Sequence, residues 1–94
     1  MKISKNSYGQ YSSNNYSAHT IVISIDDLDL YFSYNTVIAF RYQGRLTVIK
    51  NQWGPTTGKH LSWINPDKSI RVDPEVFNQE LNKIYVLKDI QIGD

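Results

Sequence analysis

Residues 53–63, WGPTTGKHLSW, contain the residue types that bind anions or take part in acid–base chemistry. A phosphate-binding loop of the G-x-x-x-x-G-K-[ST] type holds phosphates on its backbone amides and needs a hydroxyl directly after its lysine. In this stretch Gly54 lies one residue too close to Gly58, and His60 follows Lys59 where the hydroxyl would stand. The sequence therefore excludes a nucleoside triphosphatase loop.

A looser anion site is one of two hypotheses for the same stretch. Gly58 lets backbone amides approach an anion, and Lys59 and His60 add charge beside them. Trp53 and Trp63 would then offer faces on which a base can stack. The alternative is a shaped structural loop whose tryptophans are core residues. In either case we expect the loop to fold back on a sheet through at least one buried tryptophan, with Lys59 and His60 at its open edge.

The other polar residues do not favour catalysis or metal binding. Ser62 lies two positions from His60, and the sequence places no third group to orient the imidazole. We expect His19 to be a packed or surface histidine, and nothing in its spacing from the aspartates around residue 27 suggests a metal site. The chain has no cysteine, so thiolate chemistry is excluded. We predict a protein that is not an enzyme and that uses no metal and no cofactor.

The charges are balanced overall but unevenly placed. The formal net charge of +1 argues against a polycationic nucleic-acid binder. However, no acidic residue lies between Asp29 and Asp67, and this span carries Arg41, Arg45, Lys50 and Lys59. The pattern predicts a basic surface from the middle of the chain.

No stretch approaches the roughly 20 apolar residues of a membrane helix. The first residues also contain no apolar run that would serve as the core of a signal peptide. We therefore expect a soluble, cytoplasmic protein with no membrane partner.

Strands followed by a helix are predicted to position these residues. Runs of alternating apolar residues that are bounded by turn residues predict strands. These runs lie at 19–25, at 28–32 after an Asp26-Asp27 turn, at 36–50 as a hairpin across Gln43-Gly44, and at 69–72. Residues 73–85 predict a helix, since Asp73 suits an N-cap and Pro74 the first helical position. Its apolar stripe is formed by residues at helical spacing, Val76, Phe77, Leu81 and Ile84. Residues 86–94 are expected to form a last strand or a tail.

Together these elements predict an α+β fold, a small antiparallel sheet of four to six strands with one C-terminal helix packed on it. The length fits a single domain over residues 1–94. Residues 1–15 are a candidate flexible arm, because residues 4–17 are rich in Ser, Asn and Tyr. The alternative is that the tyrosines pack down and part of this segment forms a first strand.

Tyrosines near the predicted strands suggest a second candidate surface. Tyr34 and Tyr42 lie close to Arg41, and exposed tyrosine beside arginine is typical of binding surfaces. The alternative is that these are amphipathic edge residues whose hydroxyls lie in water.

Three segments resemble a small bacteriophage-encoded family of unknown function: NYSAH at 15–19, LYFSYNTVIAF at 30–40 and NQWGPTTGKHLSWI at 51–64. Members are similar in an N-Y-[GS]-A-H start, a [YF]-S-Y-x-T-x-[VI]-A-F strand and a W-x-x-T-T-G-K-H-L loop. The resemblance runs from about Asn15 to about Leu81. It implies phage origin and an accessory role in an infected bacterium, and it carries no activity to transfer.

The patterns that carry the resemblance include polar residues of a strand, such as Ser33 and Thr36, as well as the distant TTGKH residues. They either converge into one site or form a polar network that supports the loop. The candidate ligand-binding residues are Trp53, Thr56, Thr57, Gly58, Lys59, His60, Tyr34 and Arg41.

We expect the protein to act by stoichiometric binding against a host defence. It would inhibit a host protein, as anti-CRISPR proteins do, or sequester a nucleotide signal, within the cytoplasm of the host bacterium. The alternative is nucleic-acid binding through the basic hairpin and the TTGKH loop. The partner is thus a host protein or a nucleotide, with nucleic acid and a second copy of the chain as further candidates.

Overall fold

The computed structural model describes residues 2–8 and 20–90. In chain order the elements are β1 (Ile3–Ser7), β2 (Thr20–Ile25), β3 (Leu28–Ser33), β4 (Thr36–Tyr42), β5 (Arg45–Val48), α1 (Pro55–Ile64), a 3-10 turn (Lys68–Ile70) and α2 (Pro74–Lys88). The predicted α+β fold with an antiparallel sheet is confirmed. Where we expected one helix, the described residues form two, and the additional one is α1.

The sheet is an open antiparallel meander in the order β1-β2-β3-β4-β5. Two of its turns are those predicted from Asp26-Asp27 and Gln43-Gly44. Gln43 and Gly44 both have positive φ, 52° and 82°, which is the geometry that two-residue hairpins favour. A third tight turn follows β3, where Tyr34 has a φ of 56°. That conformation is uncommon for a bulky side chain.

The helix α2 lies on the sheet as its apolar spacing predicted. The ring centroids of Phe77 and Phe40 are 5.2 Å apart, and Leu81 and Ile84 are buried in the same core. Val76, which was expected in the same apolar stripe, is 45% exposed. The helix runs to Lys88, three residues past the predicted end at Tyr85, and ends where Asp89 adopts the left-handed conformation. Residues 86–88 are therefore helical, and residues 91–94 lie outside the described residues.

Asp73 occupies the N-cap position of α2 but makes no side-chain cap hydrogen bond. Its carboxylate instead accepts a hydrogen bond from Lys50 Nζ at 2.8 Å. The expected capping role was therefore wrong in its chemistry, although Pro74 does begin the helix.

The strand predicted at 69–72 was also wrong. Asp67 Oδ1 accepts hydrogen bonds from both Ser69 N and Ser69 Oγ, at 2.9 and 2.6 Å, and this local bonding curls the chain into the 3-10 turn. Within the predicted strand, only Val72 forms a β-bridge, a single parallel one to Ile49.

At the N-terminus, Ile3–Ser7 pairs with β2, so the alternative of a first strand is confirmed for this part of the proposed arm. The remainder of the arm at 9–15, and His19, lie outside the described residues. Among the residues that are described, no helix is long and apolar enough to cross a membrane.

Candidate anion-binding groove

The stretch that was expected to be a loop is mostly the helix α1. Pro55 takes the first helical position after Gly54, as proline often does. The side chain of Asn51 braces the entry, because its Oδ1 accepts from Trp53 N and its Nδ2 donates to Gly54 O, both at 3.0 Å. The backbone N–H of Gly58 donates to Gly54 O within the helix at 3.0 Å, so it is not turned toward an anion as the loose anion-site hypothesis required.

One face of α1 is anchored to the sheet by a polar cluster. His60 is fully buried, and its Nδ1 lies 2.6 Å from Ser33 Oγ at the end of β3. The hydroxyl of Thr57 is 3.4 Å from the same Ser33 oxygen, and Leu61 is buried beside them. The expectation that His60 lies at an open edge was wrong, because helical spacing places it with Thr57 and Leu61 on the inner face. This cluster fits the supporting polar network that was one of our two interpretations.

Neither tryptophan is the buried anchor that we expected. Trp53 is 45% exposed and Trp63 is 47% exposed. Leu61 is buried instead. It lies on the inner face of the helix, and the prediction of a loop did not consider such a face. Trp53 borders a cavity of about 30 Å³ together with Ser33, Thr36 and Thr57, on the anchored side of α1.

The outer face of α1 forms one wall of an open groove of about 470 Å³. We call this the basic groove. It is lined by Pro55, Gly58, Lys59 and Ser62 from α1, and by Lys50, Asn51, Lys68 and Arg71 from the segments opposite. Four of these side chains are basic and none is acidic.

The second wall of the groove depends on the parallel bridge between Ile49 and Val72. Lys50 N donates to Val72 O at 2.9 Å, and Val72 N donates to Val48 O at 2.8 Å. These bonds bring together the two segments that carry Lys50 and Arg71, which adjoin the bridged residues and both line the groove.

Arg71 has an unusual electrostatic position in this wall. Its Nε and Nη2 are shielded from solvent and have no hydrogen-bond partner among the described residues. Of the two acidic residues next to the groove in sequence, Asp73 offsets the charge of one groove lysine and Asp67 is engaged by a neighbouring serine. Asp73 pairs with Lys50 at the surface, and Asp67 binds Ser69, whose side-chain and backbone hydrogen bonds hold the pKa of that carboxyl below its usual value. The groove thus presents positive charge, and one residue of its lining, Arg71, has guanidinium donors that no described residue satisfies.

The predicted site residues do not converge on one place. Lys59 and Gly58 line the basic groove, whereas Thr57 and His60 face the interior. Tyr34 is exposed, with its ring 5.9 Å from that of His60. The remaining candidates lie elsewhere: Trp53 borders the small cavity, Thr56 does not line the groove, and Arg41 lies at the hairpin end with Nη1 3.5 Å from Gly44 O.

Sequence reasoning missed Lys68 and Arg71. It ended the acid-free span at Asp67 and treated 65–72 as a turn and a strand, so these two cations were not counted. A signal for them was present in the sequence. Lys68 and Arg71 follow Asp67, whose side chain suits a local turn that would keep the two cations close together.

In the part of the chain that the structure describes, the arrangement offers no accessible nucleophile–imidazole pair. Ser62 lines the groove, while His60 is hydrogen-bonded to Ser33, and both of these are buried. Within residues 2–8 and 20–90, no group of three or more potential ligands could hold a metal ion.

A model of a family of unknown function, DUF8033, matches residues 1–79. The chain belongs to this family. The matched part contains every residue that lines the basic groove and ends within α2, so the groove is built entirely from the DUF8033 region. No curated protein and no solved structure matches the chain. The phage origin and the loop motif stay predictions from the resemblance described above.

Proposed function

We propose that this DUF8033 protein acts by stoichiometric binding and that the basic groove holds a phosphate-bearing anion. The observation that carries the proposal is Arg71. Shielding a charged guanidinium from water without a partner is costly, and a bound anion would remove that cost. Its Nε and Nη2 are neighbouring donors, and two phosphate oxygens can accept from them side by side once the side chain turns toward the groove.

The groove favours a compact anion over a nucleic-acid strand. Its volume of about 470 Å³ lies within the usual range for small-molecule sites, roughly 300–1,000 Å³. The hairpin arginines do not extend it, since Arg45 begins β5 and Lys50 follows that strand, about 16 Å away along an extended chain. Arg45 lines a different, more apolar groove with residues such as Leu46 and Val76.

The biological part of the proposal rests on the family resemblance. A protein that holds a phosphate-bearing signal without converting it would suit an accessory protein that opposes a host defence by sequestration. The buried positions of Ser33 and His60 support this non-catalytic mode. A host protein as the partner stays an alternative, which a pull-down from host lysate addresses.

Calorimetric titration with pyrophosphate at low salt tests the proposal. Arg71→Gln should weaken binding at least tenfold, while Arg45→Gln, which makes the same charge change outside the groove, should leave it within about twofold. Phosphorus NMR of the same samples should show pyrophosphate unchanged after prolonged incubation. Absence of binding at millimolar pyrophosphate, or equal losses in both variants, would contradict the proposed site. Turnover would contradict the non-catalytic mode.

Gel shifts with single- and double-stranded DNA and RNA distinguish the nucleic-acid alternative. Binding through many phosphates falls steeply as salt rises. A strong shift at micromolar protein that Arg41→Gln and Arg45→Gln abolish would favour the hairpin over the groove.

A further inference from the structure

Trp63 is 47% exposed and belongs to α1, the helix that forms one wall of the basic groove. It stands one helical turn after Lys59, which lines the groove, so the two side chains are neighbours on the surface of α1. Tryptophan usually loses most of its surface on folding. An indole left half in water one helical turn from a groove lysine offers a flat apolar face next to bound charge.

We propose that the binding site continues from the groove onto Trp63, so that its ligand is a nucleotide. The phosphates occupy the groove near Arg71 and Lys59, and the base stacks on the indole of Trp63. This inference rests on the proposed function and adds to it the class of ligand. Aromatic stacking accepts any base, because every base has a π face.

Two features favour a single nucleotide over a longer strand. The lining of the groove comes from residues 50–71, and Arg45 at the far end of β5 belongs to another groove. Trp53, the other exposed tryptophan, borders the small cavity with Ser33 and Thr57, on the anchored side of α1. A second stacking platform along the same groove is therefore absent from the described residues.

The two tryptophans provide a matched pair for the experiment, because their exposed fractions are nearly equal. The probes are ADP and pyrophosphate, which share the diphosphate and differ by the nucleoside. ADP should bind about tenfold more tightly than pyrophosphate to the wild-type protein. Trp63→Ala should reduce ADP affinity to that of pyrophosphate and leave pyrophosphate affinity unchanged, whereas Trp53→Ala should leave the ADP-to-pyrophosphate ratio unchanged.

Fluorescence gives a direct readout of stacking. In Trp53→Phe the remaining tryptophan emission comes from Trp63, and ADP should quench it while pyrophosphate should not. Trp63→Phe should retain part of the preference for ADP, which a purely structural role would not explain. Thermal melts of each variant confirm that it is folded at the temperature of titration.

The outcomes separate the two proposals. If pyrophosphate binds through Arg71 but ADP binds no better and Trp63→Ala changes nothing, the nucleotide inference is overturned and the anion groove stands. If neither probe binds, both fail. If a single-stranded oligonucleotide competes far better than ADP, with a steep salt dependence, the ligand is a nucleic-acid strand and the nucleotide inference is overturned.

Discussion

The two faces of α1 differ although their residues alternate within one short stretch. The inner face, with Thr57, His60 and Leu61, is buried against the sheet and holds the helix in place. The outer face, with Gly58, Lys59 and Ser62, lines the basic groove. A run that resembles a single chemical motif in the sequence thus divides by helical periodicity into a part for stability and a part for binding. Substitutions on the two faces should have separable effects.

The largest expected effect is on the inner face. Leu61→Ala should lower the free energy of unfolding by about 2–5 kcal/mol, because it removes a fully buried side chain and leaves a cavity. Denaturant unfolding measures this change. Val86→Ala, at an exposed position of α2, is the control and should change stability by less than about 0.5 kcal/mol. Similar small losses in both variants would show that α1 is not docked through this face.

The polar cluster of the inner face should show the next largest effect. Ser33→Ala removes the hydroxyl that lies 2.6 Å from His60 Nδ1 and should cost about 1–3 kcal/mol, since it leaves buried polar groups without that partner. Pyrophosphate affinity, measured below the melting temperature, should be unchanged. A loss of affinity without a loss of stability would mean that the cluster belongs to the binding site, and the comparison between the faces would fail.

The outer face should behave in the opposite way. Lys59→Ala should weaken pyrophosphate binding about fivefold at low salt, with a change in unfolding free energy below about 0.5 kcal/mol. Added salt should reduce the difference in affinity, since it screens exposed charges. Lys83→Ala, an exposed lysine of α2, is the matched control. Equal affinity of the Lys59 variant and wild type would place the ligand away from α1.

The smallest effect is expected at Gly58, which lies on the outer face. Alanine is favoured over glycine within a helix by about 1 kcal/mol. However, a Cβ at this position would lie 3.2 Å from Asn51 Nδ2, and the Asn51 side chain is held by hydrogen bonds at both ends. We expect these terms to offset each other, so that Gly58→Ala melts within a few degrees of wild type. A large loss of stability would show that Asn51 cannot shift.

The strands β2 to β5 could be predicted from the sequence because their signals are local. Alternating apolar residues and the Gln43-Gly44 turn are read within a few residues of each other, and the structure has them as expected. The signals of α2, with Pro74 at its start and Phe77 and Leu81 on one face, are equally local. Its position on the sheet then follows from the need to bury that apolar stripe.

The helix α1 could not be predicted in the same way. Its residues include threonine, glycine and histidine, which are modest or poor helix formers. Much of its stabilisation comes from tertiary contacts. These are the burial of Leu61 in the core and the hydrogen bond of His60 to Ser33 on strand β3. Helix propensities do not include such contacts, and a loop was therefore predicted where the structure has a helix.

The basic groove was predicted only in part, for a similar reason. Lys59 and Lys50 were noticed as cations of an acid-free span. Arg71 joins them through the single parallel bridge between Ile49 and Val72, a pairing for which the sequence has no periodic signal. The site therefore depends on an isolated contact between two segments, which composition and spacing do not reveal.

That bridge also has a kinetic consequence. From β2 to β5, each strand pairs with its neighbour in sequence, and these pairings close two-residue turns that cost little chain entropy. The bridge must instead close a loop that contains the whole of α1. We therefore expect the two walls of the groove to meet late in folding and to separate first in local opening. A ligand that contacts both walls would hold the two bridged segments together. Its binding would therefore slow local opening at the bridge more than in the hairpins.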